Sequence, residues 1–171
     1  SAVSPLPQTT RERLAGVYTD DNRQIVFIDL PGLITPTDRL NEVLLSNVLE
    51  GEQDVDAVLH LVDVADEEPL GPEMEAALQR VKAPLLLVIN KIDGKRAKTD
   101  AGSWAGEKLA PAVRSRYRRV LGISAIEKKG LPLLLDALTE HLPEGPPLYD
   151  PESLTDRDLR YLTQEMIREK L

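Results

Sequence analysis

Asn90-Lys91-Ile92-Asp93 stands directly after the apolar run Pro84-Leu85-Leu86-Leu87-Val88-Ile89. A carboxylate held at Asp93 can accept from the ring N–H and the exocyclic amine of guanine together. Adenine lacks that donor pair, and against it the acid is left unpaired, which is how such a site discriminates. Asn90 can bond the purine edge, and the aliphatic stem of Lys91 can cover a flat ring. The same four residues also suit a helix N-cap with surface charges, so the rest of the chain must decide. Three further stretches carry the same kind of signal. Asp29-Leu30-Pro31-Gly32 follows Gln24-Ile25-Val26-Phe27-Ile28, Ser124-Ala125 follows Val120-Leu121-Gly122-Ile123, and Thr9-Thr10 lies near the start.

The elements that must position these residues are legible in outline. Pro84 to Ile89 reads as a strand covered on both faces, the kind found inside a parallel sheet. In open α/β sheets ligands bind at the carboxyl edge of such strands. Leu14 to Tyr18 and Gln24 to Ile28 flank the polar turn Asp20-Asp21-Asn22-Arg23, which predicts a hairpin. Leu40, Val43, Leu44, Leu45, Val48 and Leu49 recur at helical spacing, Val55 to Val62, with Asp63 and Val64, reads as a largely buried strand, and Met74, Ala77, Leu78 and Val81 form another helical stripe. A helix is expected from about Trp104 to Arg114, with Arg114, Arg116, Arg118 and Arg119 as a solvated helix end around Tyr117. Leu131, Leu134, Leu135 and Leu138 make an amphipathic helix ending at Leu142-Pro143. Alternation of this kind specifies a mostly parallel, three-layer α/β fold. Glu144-Gly145-Pro146-Pro147 marks a boundary, and Thr155-Asp156-Arg157-Asp158 opens a last helix. The expected division is residues 1–143, a linker over 144–154, and a second domain beginning over 155–171.

Composition limits the chemistry. The 171 residues suffice for one domain with a core and a short appendage, and 42% hydrophobic with 29% charged residues is ordinary globular composition. With no cysteine, thiol nucleophiles, disulfides and thiolate metal sites are excluded. His60 and His141 are isolated from each other in sequence and read as core or surface residues. A net charge of −8 argues against this stretch gripping DNA or RNA by itself. No apolar run is long enough to span a bilayer.

Taken in order, the four motifs resemble those of the translation-factor class of P-loop GTPases. The resemblance to the Era family of ribosome-assembly GTPases runs along the whole chain. It is carried by Pro5-Leu6-Pro7-Gln8-Thr9-Thr10-Arg11, Gln24 to Gly32, Leu142-Pro143-Glu144-Gly145-Pro146-Pro147 and Thr155 to Leu171. The resemblance implies a three-layer P-loop GTPase sheet, with GTP or GDP and Mg²⁺ as ligands. Thr9 or Thr10 matches the first switch threonine that reaches Mg²⁺ and the γ-phosphate. Asp29 matches the metal-holding acid, with Leu30 and Pro31 in its loop, and the Gly32 N–H would sense the γ-phosphate. Asn90, Lys91 and Asp93 would read guanine, supported by the backbone of Ser124 and Ala125. Leu33 stands where signalling GTPases carry a water-orienting glutamine. Hydrolysis then relies on another group, a potassium ion or a partner, and slow intrinsic turnover is expected.

The resemblance further implies a C-terminal KH domain that binds small-subunit rRNA. Its biology would be maturation of the small ribosomal subunit, in the cytoplasm and with peripheral association at the inner membrane. No G-x-x-x-x-G-K-[ST] occurs in these residues. The family places that loop and its central strand just upstream, so the chain is expected to be an internal piece that binds GTP poorly alone. Two rivals stand beside this reading: a nucleotide-free scaffold or docking module, and a sister GTPase of tRNA modification or large-subunit assembly.

Overall fold

The computed structural model describes residues 14–29, 55–66, 70–94 and 100–152. The helix expected around 40–49 and the one expected from 155 lie outside the described residues. The chain divides into two compact units, residues 1–45 with 144–171, and residues 46–143.

In the first unit, β1 (Leu14–Thr19) pairs antiparallel with β2 (Gln24–Asp29), the hairpin expected from the sequence. Asp20 closes its turn. One carboxylate oxygen accepts from the N–H groups of Asn22 and Arg23, each at 3.0 Å, and the other takes the Arg23 guanidinium at 2.8 Å. These donors, Arg23 first, hold the Asp20 pKa down at about 2. Gln24 then ties the post-boundary segment to the hairpin. Its amide oxygen accepts from Leu148 N and Tyr149 N at 2.8 and 2.9 Å, and its amide nitrogen donates to Tyr149 O at 2.9 Å.

In the second unit, β3 (Val58–Asp63), β4 (Leu85–Asn90) and β5 (Tyr117–Gly122) form a parallel sheet with β4 in the middle. Leu86, Leu87, Val88 and Ile89 of β4 are fully buried. An unbroken apolar run has no solvent face to keep, and burial contributes about 1.5–3 kcal/mol per large side chain. The helices are α1 (Pro72–Arg80), α2 (Ala101–Lys108), the short α3 (Pro111–Arg114) and α4 (Leu131–Thr139). Asp100 caps α2 by accepting from Gly102 N and Ser103 N. Trp104 is buried as a helix-to-sheet packing residue, and its indole N–H donates to Val64 O at 2.9 Å.

Two expectations are corrected. The helix foreseen from Trp104 to Arg114 is broken into α2 and α3. Pro111 supplies no N–H and drives Ala110 to ψ 144°, so the helix stops at Lys108 and restarts. Of the arginines around Tyr117, Arg114 does end a helix, α3, and is exposed, but the others are not a helix end. Tyr117 pairs with Leu85 as the first residue of β5, and Arg118 and Arg119 lie on that strand, exposed. Arg116 sits just before it and donates to Val81 O at 2.8 Å and Leu78 O at 3.3 Å, carbonyls at the end of α1.

Candidate functional site

The carboxyl edge of the parallel sheet is built from three neighbouring strand ends. Register places Asp63 beside Asn90, and Ile89 beside Gly122. Main-chain bonds then lock the loops that leave the strands. Val64 N donates to Asn90 O at 3.0 Å, Ile123 N to Ile89 O at 2.8 Å, and Ile92 N to Ile123 O at 3.2 Å. The loop after β5 closes on itself through a reciprocal pair between Ser124 and Lys129. Gly130 follows at φ +76°, where an added Cβ would lie 2.4 Å from Gly122 O. Only glycine fits that approach.

On this frame, two of the sequence motifs meet. Asn90 Oδ1 accepts from Lys91 N at 2.8 Å and from Ala125 N at 3.1 Å, so one side chain joins the end of β4 to the loop after β5. Lys91 adopts φ +63°, an uncommon conformation for a residue with a Cβ, held by its N–H on Asn90 and by its carbonyl accepting from Gly94 N at 3.1 Å. Asp93 is exposed one turn further on. Ser124 is fully buried, and its Oγ accepts from Glu127 N at 3.1 Å; the hydroxyl closes its own loop. The Ala125 N–H, expected to support a purine oxygen, is directed at Asn90 here, so a purine would have to share it.

The structure also brings in a residue the sequence reading passed over. Asp63 ends β3, and its Oδ2 lies 2.7 Å from Lys91 Nζ. That contact, first as a hydrogen bond and then as charge attraction, raises the Lys91 pKa above the ordinary lysine value. The signal that could have found it is the one that picked out Asp29: an acid at the end of an apolar strand.

Asp29 is the last residue of β2, paired with Leu14 in the hairpin unit. Its side chain, and Thr9, Thr10, Leu30, Pro31, Gly32 and Leu33, lie outside the described residues. The Mg²⁺ set expected from Thr10 and Asp29 lies there too; among the described residues no cluster of acids and histidines is arranged to hold a metal ion. His60 is a core residue, as expected. It is buried, and its Nδ1 meets the Tyr117 hydroxyl at 2.6 Å.

Known proteins resemble this chain. GTPase Era of Clostridium botulinum is 34% identical over 99% of the chain, and GTPase Era of Carboxydothermus hydrogenoformans is 35% identical over 99%. The chain covers 56% of the length of each of these relatives. A crystal structure of Era in complex with MgGDPNP and nucleotides 1506-1542 of 16S ribosomal RNA superposes with a TM-score of 0.77 at 30% identity, covering 99% of this chain and 57% of that one. An Aquifex aeolicus Era variant bound to GDP.AlF4- gives the same TM-score, identity and coverage. The G-domain of FeoB from Methanococcus jannaschii, at 21% identity and a TM-score of 0.57, shares the fold over 77% of this chain and 79% of its own. The resemblance to the Era family read from the sequence thus holds along nearly the whole chain, and the fold is that of the P-loop GTPases. A family model described as "50S ribosome-binding GTPase" matches residues 1–91. The chain belongs to that family of GTPases.

Proposed function

We propose that the chain carries the guanine-reading corner of a GTP-binding and GTP-hydrolysing switch that works with the small ribosomal subunit and its rRNA. The observation that carries this reading is the Asn90 side chain, which binds the backbone of Lys91 and of Ala125 at once. Those two hydrogen bonds set the Asn-Lys-Ile-Asp turn and the Ser124-Ala125 loop side by side, the arrangement a purine edge needs. Era relatives bound to MgGDPNP and to 16S rRNA support the ligand and partner classes. In a switch of this kind, loss of the γ-phosphate releases the loops that sensed it, and hydrolysis becomes a conformational signal. Thr9 or Thr10, Asp29 and Gly32 are the residues we assign to Mg²⁺ and the γ-phosphate. Leu33 offers no hydrogen bond to water, which supports slow intrinsic hydrolysis. By the same resemblance we place the protein in the cytoplasm, with peripheral association at the inner membrane.

The test is base discrimination by the protein as encoded in its own gene. An amide at position 93 can donate to the 2-oxo group of xanthine, which a carboxylate cannot. Asp93→Asn is therefore expected to lower affinity for a fluorescent GDP analogue by about 100-fold and to raise affinity for the xanthosine counterpart. Equal binding of guanine and adenine nucleotides by the wild type, or no change of base preference in the variant, would overturn the reading.

A further inference from the structure

The carboxyl edge holds an ion pair whose position matters more than its strength. Lys91 Nζ and Asp63 Oδ2 are 2.7 Å apart, with the lysine side chain 67% exposed and the aspartate 27%. Exposed pairs of this kind contribute little to stability, and fixing a long lysine side chain costs rotamer freedom. Yet both ends are built to hold it. On the lysine side, the backbone is turned to φ +63° and secured through the Asn90 and Gly94 bonds. On the aspartate side, the two carboxylate oxygens are divided: Oδ1 accepts from Ala65 N at 2.9 Å, and Oδ2 meets the ammonium. The Asp63 N–H in turn donates to Asp66 Oδ2 at 3.1 Å. Because Asp63 and Asn90 are in register, the lysine runs sideways across the strand ends, from β4 toward β3.

We infer that Asp63 is a positioning residue for the guanine site: it tethers the Lys91 ammonium so that the methylene stem lies stretched along the sheet edge as an apolar surface for the face of the purine. The tether also neutralises the ammonium. A free cation at this corner would attract the nucleotide's phosphates into the place meant for the base. The inference rests on the guanine reading above and adds the group that prepares its lysine.

The experiment is a double-mutant cycle with a fluorescent GDP analogue on the protein as encoded in its own gene. Asp63→Asn keeps an oxygen for Ala65 N and removes the charge, so the turn after β3 keeps its cap. It is expected to weaken binding about 10-fold, and Asp63→Glu, which keeps the charge, to restore part of that loss. On a Lys91→Met background, Asp63→Asn is expected to cost nothing further, because the charge it tethers is gone. A structural role for Asp63 would instead lower affinity by the same factor on both backgrounds. That result overturns the inference, as does wild-type affinity in Asp63→Asn. Should Asp63→Asn fold poorly by its thermal midpoint, the same cycle run with Asp63→Glu decides between the two roles. Failure of Asp93→Asn to change base preference would remove the guanine reading and this inference with it. A normal Asp93 result with an uncoupled Asp63 removes this inference alone.

Discussion

The two ends of the parallel sheet are made from the same three strands but are held in different ways. At the carboxyl end much of the holding is done by main chain, Val64 to Asn90, Ile92 to Ile123, Ile123 to Ile89 and the Ser124–Lys129 pair, with the Asn90 amide, the Ser124 hydroxyl and the Asp63 carboxylate joining in. The heads of Lys91 and Asp93 are left exposed. Toward the amino end the holding is done by side chains, of which His60 and Tyr117 are withdrawn from water and Arg116 is exposed. His60 and Tyr117 stack with ring centroids 5.9 Å apart and share a hydrogen bond, while Arg116 satisfies the last carbonyls of α1. The difference suits the carboxyl end to the role we propose for it. A loop fixed by its backbone can present polar heads to a ligand without needing them for its own stability.

The largest expected effect comes from breaking the backbone-built end. At Gly130, φ is +76° and a Cβ would meet Gly122 O at 2.4 Å. Backbone conformation and close contact both oppose a side chain there. Gly130→Ala is expected to destabilise the protein by about 3 kcal/mol or more, read as a lower midpoint in urea unfolding. A variant as stable as the wild type would mean that the loop can shift freely, and the contrast between the two ends would fail.

The side-chain-built end is broken by acid instead. Burial depresses the His60 pKa from 6.5 to about 4 and pushes the Tyr117 hydroxyl up from its usual value. The unfolded chain takes up the histidine proton near pH 6.5, whereas the folded protein resists it until about pH 4. Stability from this site is therefore fully present above pH 6.5. It falls as pH drops through the window between those values, and is flat again below pH 4. The total loss is about 3 kcal/mol. Urea unfolding across that window should show the slope in the wild type. Replacing the pair with His60→Phe and Tyr117→Phe together, which removes both polar partners at once, should flatten it. An unchanged slope in the double variant would assign the acid sensitivity elsewhere.

What could be read from the sequence follows the same division. The apolar run of β4 announced a buried central strand, and the polar heads after it announced the edge, because both signals are local. The hairpin was legible for the same reason, with its turn residues clustered between two short apolar runs. The break at Ala110-Pro111 does carry a local signal, the proline itself, but helix-forming residues such as Ala105, Glu107, Lys108, Leu109 and Ala112 on either side of it read as one continuous helix. The strand position of Tyr117 is hidden because its partner Leu85 lies far away in sequence, and pairing across that distance leaves no periodic trace among flanking arginines. Asp63 is hidden as a site residue because its role depends on register: nothing in Val62-Asp63-Val64 alone points to Lys91.

A pair of ion pairs offers the finest test of the comparison. Arg119 on β5 meets both carboxylate oxygens of Glu140, just beyond α4, at 2.8 Å, with both side chains about half exposed. By distance and charge it is the counterpart of Lys91 and Asp63, but it lies away from the carboxyl edge. Solvent screens both pairs, so Arg119→Gln is expected to change stability by about 0.5 kcal/mol, a shift near the limit of urea unfolding. The same substitution should leave affinity for the GDP analogue at its wild-type value, whereas Asp63→Asn lowers it. If Arg119→Gln weakened nucleotide binding as much as Asp63→Asn, charge alone would account for both effects. The placement of Lys91 at the strand ends would then explain nothing that its charge does not.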